Sequence, residues 1–568
     1  MKGDTFMSNV NKEIIKDDSN SFSEGKSKGS KTQNRRSSKN NRSRSRNNNH
    51  NRNEGGQKSK VEFNTNDVAW YTLNPQLLRD TASIPFSWAS GVPVNFDFRG
   101  GITDRASFPG IMNFWTVPSF GWSANSSSAL NNAATKVYSF VRHENSGHSN
   151  YDAPDLMIYL CAMTQVYSAI NWLQRLYSQA CVYSPVNRYI PRAIIEEQHV
   201  SYDDIIANLA NFRYGINSLI AKAASLAVPS TLPVFRRMAF LYQNVYCESE
   251  SLKDQLYMYT PASFMYFTLN EDTKAGQLVT FTDIRDKSYT GQLLTVANLI
   301  EIVNRMLAPI IGSEDMNIMS GDILKAYGKG NILTLSPIDT YLSITPIYDP
   351  EVLEQMKNAE VIHPKLFDYD AIKLQQDPNI QVGQSNLQFK PQLIPAAYFN
   401  ASVEQVTSIY KNLVRNHVIT SSLNDVTPER VMTDTRLTIA YELNEAENRL
   451  NMHTGSEIVV QCNYGYFTEE DNGTLTYHQG AICALNPMIC SSYSSIAGNI
   501  GSITRTRCFK YKPFSLCCLF SSQSATTPSS ITIDFDVDNW GLVNDETLRN
   551  IHDVAWLGLF NVKPAAQL

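Results

Sequence analysis

Gly321 and Gly328-Lys329 are the closest approach to a phosphate-cradling loop in this 568-residue chain. Six residues separate the glycines where four are needed, and Gly330 stands where a magnesium-holding Ser or Thr belongs. No nucleotide site is expected. His143, Glu144 and His148 gather around Gly147, but their spacing fits no helical zinc site, and Ser146-Gly147 is not a nucleophile elbow. Cys517-Cys518 lies in an apolar stretch and reads as core more readily than as a reactive pair. We therefore expect no catalytic residue, metal or cofactor, and do not expect an enzyme. One reactive arrangement stays open at Asn64, Asn66 and Asp67, where an Asn amide beside an acid can attack its own peptide carbonyl and cut the chain. Ordinary polar hinge residues are the plainer reading.

The chemistry that does stand out is charge. From Ser23 to Lys60 there is no Ala, Val, Ile, Leu, Met, Phe, Trp, Tyr or Cys. The stretch holds Lys26, Lys28, Lys31, Arg35, Arg36, Lys39, Arg42, Arg44, Arg46, Arg52, Lys58 and Lys60 against two acids, Glu24 at its edge and Glu54. Residues 1–60 carry net +9, whereas the remaining 508 carry 34 Lys and Arg against 48 Asp and Glu, net −14. Such a segment has no apolar surface to offset the entropy of ordering, so we expect a disordered basic arm on an acidic body. Import signal, charged linker and membrane-surface anchor are alternatives. Nucleic acid is favoured because guanidinium groups fork onto phosphate and the arm has no apolar residue to insert into lipid. With no aromatic between Phe22 and Phe63 it cannot stack on bases, so contact is expected with backbone charge only.

Other classes recede. Met1–Val10 lacks the apolar region of a secretory signal. Leu156–Val182 is apolar but interrupted by Gln165, Asn171, Gln174 and Arg175, so a buried helix is expected and no stable membrane insertion. Nine cysteines without CxxC spacing read as reduced core thiols of a cytosolic protein.

From Val61 the composition changes abruptly. Residues 61–122 carry Trp70, Tyr71, Trp88, Trp115 and Trp122 among many Pro and Gly, which argue against any long regular element. The segment is either irregular chain packed on its own subunit or an arm whose aromatics dock on a neighbour. The run Asp67-Val68-Ala69-Trp70-Tyr71-Thr72-Leu73-Asn74-Pro75-Gln76-Leu77-Leu78-Arg79-Asp80, followed by Ala82-Ser83-Ile84-Pro85-Phe86-Ser87-Trp88, resembles the segment after the basic arm in picobirnavirus capsid proteins. The resemblance implies a structural capsid protein of a double-stranded RNA virus. It implies homodimers exchanging arms, sixty of them closing a small icosahedral T=1 shell, with the genome as cargo and a viral polymerase as a further companion. The location implied is the virion, assembled in host cytoplasm. A cytosolic nucleoprotein that coats RNA without a closed shell is the alternative.

The body reads as mainly α, with minor β-hairpins mostly in the C-terminal part. Asp152 and Pro154 open one helix, with Leu156, Tyr159, Leu160, Met163, Val166, Tyr167, Ile170, Leu173 and Tyr177 at helical spacing. Ser201 and Asp204 open another. Further helices are expected over Pro233–Val245, Gln292–Leu307, Pro350–Ala359, Val403–His417 and Asp545–Phe560, with strands at Glu457–Phe467, Thr474–Ala481 and Ile531–Val537. The layout expected is a basic arm (1–60), an aromatic arm (61–122), a helical shell region (123–250), a protruding region (251–440) and an α+β return to the shell (441–568).

Overall fold

Asp152 opens the helix around which the body packs. Its side chain and that of Asp155 form a reciprocal capping box, Pro154 occupies the first turn, and the helix runs Ala153–Cys181. Nearly all of its 29 residues are buried. By length and composition it could cross a membrane, but its most apolar window is wholly enclosed by protein. Helices Ala129–Glu144, Leu209–Ala223, Pro233–Gln243 and Val296–Ile311 pack against it. Arg175 sits fully buried within it. The guanidinium donates to Gln198 Oε1 at 2.6 Å and to the carbonyls of Tyr259 and Asn244 at 2.7 and 3.2 Å. Burial lowers its pKa to about 9, so it stays charged at neutrality while it ties helix to sheet.

The computed structural model describes residues 66–562 apart from internal stretches, the longest of them 395–415 and 483–504. Met1–Ser83 and Ile84–Leu568 are separate compact units, and the central helix belongs to the second.

The expectation of a mainly α body is wrong, and so is the confinement of strands to C-terminal hairpins. Among the described residues there are six sheets. The largest has the order Leu475–Ile482, Glu457–Glu469, Ile111–Pro118, Leu256–Pro261, Tyr246–Cys247. Ile111–Pro118 lies at its centre, antiparallel to Glu457–Glu469 and parallel to Leu256–Pro261, with all eight residues buried. A segment expected to be too broken for regular structure thus supplies the middle strand. Its Pro and Gly residues flank Ile-Met-Asn-Phe-Trp-Thr-Val without entering it, and a strand buried on both faces shows no alternation to betray it. Leu256–Pro261 likewise comes from the segment expected to protrude. A four-stranded sheet is built from Met265–Leu269, Gly276–Thr280, Lys373–Gln376 and Leu387–Gln388. A three-stranded one joins Gln392–Leu393, Arg449–His453 and Ala440–Asn444.

The helices agree more closely with the capping residues. Ser201 Oγ accepts from Asp204 N, although the helix breaks at Asn208 into Tyr202–Ala207 and Leu209–Ala223. Asp349 caps Pro350–Lys357 and Asn544 caps Asp545–Leu559. Pro233–Gln243 begins where expected, while the helix expected from Gln292 starts four residues later, as Val296–Ile311 capped by Thr295. Val403–His417 lies outside the described residues except at its end, where Asn416 and His417 begin a strand, Asn416–Ser421. The expected hairpin is present as the antiparallel pair Glu457–Glu469 and Leu475–Ile482, and Pro528–Asp534 pairs with Ser515–Phe520.

The C-terminal helix docks through Trp556. At Gly121, φ is +73°, and a Cβ there would stand 2.5 Å from Trp556 Nε1. Gly121→Ala combines left-handed strain with a clash in the core and is expected to cost about 2 kcal/mol or more. Gly558→Ala, where nothing lies within 4 Å, is the control. Equal denaturant midpoints for the two variants would contradict this account.

Candidate assembly and nucleic-acid interfaces

The first unit is described from Asn66 onward, so the cations Lys26 to Lys60 and Asn64 lie outside the described residues. Its described part is a short amphipathic arm. Asp67 accepts from Ala69 N and caps the turn Val68–Trp70, and Asn74 Oδ1 accepts from Gln76 N and Leu77 N to cap Pro75–Ala82. The Tyr71 hydroxyl donates to Asn66 Oδ1 at 2.9 Å. Neither element has a buried residue. Trp70 is 61% exposed, Tyr71 73% and Leu73 83%, with Val68, Leu77 and Leu78 exposed beside them. An eight-residue helix has little stability of its own in water. Well-formed caps around a row of unburied apolar side chains are what a docking element requires.

The other aromatics of the segment differ. Trp115 is 4% exposed at the centre of the large sheet, its ring 4.9 Å from His199, and is used by the chain's own core. Trp122 is half-buried against His453 at 4.9 Å. Trp88 lies outside the described residues. A second exposed apolar feature was not anticipated. Strand Asn539–Asn544 pairs with Asn416–Ser421 in a two-stranded ribbon and leaves Trp540 and Leu542 about 60% exposed.

Among the described residues no group of three or more His, Cys, Asp and Glu is placed to hold a metal. Gly321 is inside helix Glu314–Tyr327 and Gly328 is its C-cap, so the loop-like motif is a helix ending.

The strongest buried polar cluster ties down the C-terminal helix. His417 Nδ1 lies 2.5 Å from Glu360 Oε1, and Nε2 lies 2.9 Å from Asp545 Oδ1. Burial alone would lower the imidazole pKa, but the Glu360 charge and both hydrogen bonds outweigh it and raise it to about 10. Burial and Arg549 push His453 the other way, to about 4. The two signs give two limbs. The His417 contribution is complete below its unfolded pKa of roughly 6.5 and is lost as pH rises through about 10. That of His453 is complete above roughly 6.5 and is lost as pH falls through about 4. His417→Gln should flatten the alkaline limb of an unfolding-midpoint profile, worth on the order of 5 kcal/mol, and leave the acid limb. An unchanged alkaline limb would refute the assignment.

A basic cluster also went unnoticed in the sequence. Arg505, Arg507 and Lys510 are exposed, while Thr506 and Phe509 between them and Tyr511 just after them are buried. The available signal was the absence of Asp and Glu between Asp471 and Asp534.

Comparison with known proteins agrees with this architecture. Residues 70–460 match the family model described as Picobirnavirus, Capsid protein. The chain is 24% identical over 526 residues to a capsid protein precursor of human picobirnavirus (strain Human/Thailand/Hy005102/-), covering 88% of this chain and 92% of that protein. It is similar to the X-ray crystallographic structure of the picobirnavirus capsid with a TM-score of 0.71 at 21% identity, covering 88% of this chain and 99% of that one. A family match over more than half the chain, with the caps and strands that fall inside it, settles the assignment: the chain belongs to the picobirnavirus capsid protein family, structural proteins of the virions of double-stranded RNA viruses.

Proposed function

We propose that this capsid subunit assembles as arm-exchanged homodimers, sixty to a closed T=1 shell, and holds double-stranded RNA by phosphate contacts from its basic tail. The exposed apolar face of Val68–Ala82 carries the first half of this reading, because an amphipathic arm with nothing buried in its own unit has a neighbour's surface to fill. Trp540 and Leu542 offer further surface for contacts between copies, since an exposed apolar strand edge is a liability unless covered. Within residues 251–440, the protruding region is what remains beside strand Leu256–Pro261, which stays in the sheet, and helix Val296–Ile311, which packs on the central helix. The tail charge carries the second half. Assembly takes place in host cytoplasm, with the viral polymerase enclosed alongside the genome. Electron microscopy of the purified full chain is the test: closed shells of uniform diameter are expected, whereas filaments or open RNA complexes would favour a coating nucleoprotein.

The Tyr71–Asn66 hydrogen bond favours a second event at the arm's start. With Oδ1 held by Tyr71, Asn66 Nδ2 can attack the Asn66 carbonyl carbon, expelling the Asp67 amine and leaving a cyclic imide that water opens. Intact mass of mature particles should then show a fragment beginning at Asp67, and full-length mass throughout would exclude it.

A further inference from the structure

We propose that Arg505, Arg507 and Lys510 form a second phosphate-binding surface for RNA, built into the folded body and distinct from the tail. The inference rests on the reading that the shell encloses RNA, though not on the tail's part in it. The body is acidic overall, yet Arg505, Arg507, Lys510 and Lys512 are the only charged Lys, Arg, Asp or Glu residues between Asp471 and Asp534, and they fall within one short segment. A run of solvated charge on a loop would need no support. This one is anchored from beneath.

Phe509 and Tyr511 meet the Tyr257 ring edge-on, at centroid distances of 5.6 and 6.1 Å, and Tyr511 N donates to the Tyr257 hydroxyl at 3.0 Å. Tyr257 belongs to strand Leu256–Pro261, so the segment is pinned to the large sheet. The Arg505 guanidinium carbon lies 5.7 Å from the Tyr466 ring centroid. That ring in turn stacks on Tyr464 and His478, at 6.2 and 5.6 Å. The Arg505 side chain is also hydrogen-bonded to Tyr464, so an arginine seated on this stacked aromatic shelf loses little further freedom on binding, and its remaining N–H groups can reach phosphate oxygens. Two acids are close by and must be counted. Glu248 Oε1 accepts from Lys510 N at 2.5 Å, and Asp254 accepts from the Ser249 hydroxyl. Burial raises the Glu248 pKa to about 7, which leaves it partly neutral at physiological pH and the local charge positive. Exposed cations over a rigid base suit phosphate oxygens, with no base reading.

The test uses the full-length chain with R505Q/R507Q/K510Q, a tail variant with Arg35, Arg36, Arg42, Arg44 and Arg46 changed to Gln, and the two combined. Each is titrated with a short double-stranded RNA of arbitrary sequence across a salt series. Loss of three phosphate contacts should weaken binding roughly 10- to 100-fold at low salt and reduce the log–log salt slope by about 2 to 3, in the wild-type and tail-variant backgrounds alike. R505K/R507K, which keeps the charge, should recover most of the affinity. Wild-type binding by the triple variant in both backgrounds overturns the proposal. So does wild-type RNA binding with failed particle formation, which would make the patch a contact with the acidic surface of a second copy. If the tail variant binds normally while the patch variant does not, the tail reading falls and this one stands.

Discussion

Particles assembled from protein lacking residues 1–60 should close normally and lose most of their RNA. Between Lys26 and Lys60 the net charge is +11, and each phosphate neutralised releases condensed counterions, so affinity should fall steeply with salt. If every unit of net charge found a phosphate, the log–log slope of a peptide of residues 20–60 would reach about −7 to −10. At even half that slope, raising salt from 50 to 200 mM would weaken binding by roughly 10²- to 10³-fold. The loss should be uniform across RNA sequences, because the stretch from Ser23 to Lys60 has no Phe, Tyr or Trp to stack on bases. Phosphorylation at Ser43 or Ser45 would add roughly −1.5 to −2 charges each among Arg42, Arg44 and Arg46 and should reduce packaging in the same direction. A peptide slope near zero, or unchanged RNA content in particles of the shortened protein, would sink the electrostatic account. A residual RNA content abolished by R505Q/R507Q/K510Q would assign the remainder to the folded surface.

How much of this was legible in the sequence depends on which physical signal each element sends. Helix starts are written in side chains that cap, and Asp152, Ser201, Asp349 and Asn544 each mark one correctly. The same signal stood unused at Ser313 before Glu314–Tyr327, and the stripe Leu130, Ala133, Ala134, Val137 and Val141 marks Ala129–Glu144 despite its small residues. Strands were harder. Ile111–Pro118 and Leu256–Pro261 are buried on both faces, so the alternation that identifies a half-solvated strand is missing, and their pairing joins residues more than a hundred positions apart. Trp115 illustrates the consequence for sites. An aromatic in a Pro- and Gly-rich segment can serve an interface or a core, and only its place in the sheet decides for the core. Trp70 and Tyr71, in the same run of sequence, are exposed instead. The tail's charge follows from composition alone and needs no fold to be read, whereas the Arg505 cluster depends on which residues face outward.

Trp70→Ala with Leu77→Ala should convert the proposed arm-exchanged dimer to monomer at concentrations that hold the unsubstituted chain together. Both side chains are about 60% exposed on the first unit, and their elements bury nothing of their own. A tryptophan seated in a partner's pocket is a typical hot spot, worth about 2 to 4 kcal/mol on truncation, and a leucine on the same face adds about 1 to 2. Together they should weaken dimerisation by roughly 10²- to 10⁴-fold, readable by sedimentation velocity over a dilution series. An effect on folding would be distinguishable, because both substitutions lie in the first unit and the far-UV circular dichroism of the folded chain, dominated by the separate compact unit Ile84–Leu568, should be unchanged. Asn74→Ala supplies the graded case. It removes the cap that accepts from Gln76 N and Leu77 N while leaving every apolar contact group in place. If docking requires a formed helix, the variant should weaken the dimer by about the cost of a lost cap, ~1 kcal/mol or five-fold. A W70A/L77A protein that still sediments as a dimer at every concentration would show that the arm is not the element exchanged, and would move the contact to the ribbon bearing Trp540 and Leu542.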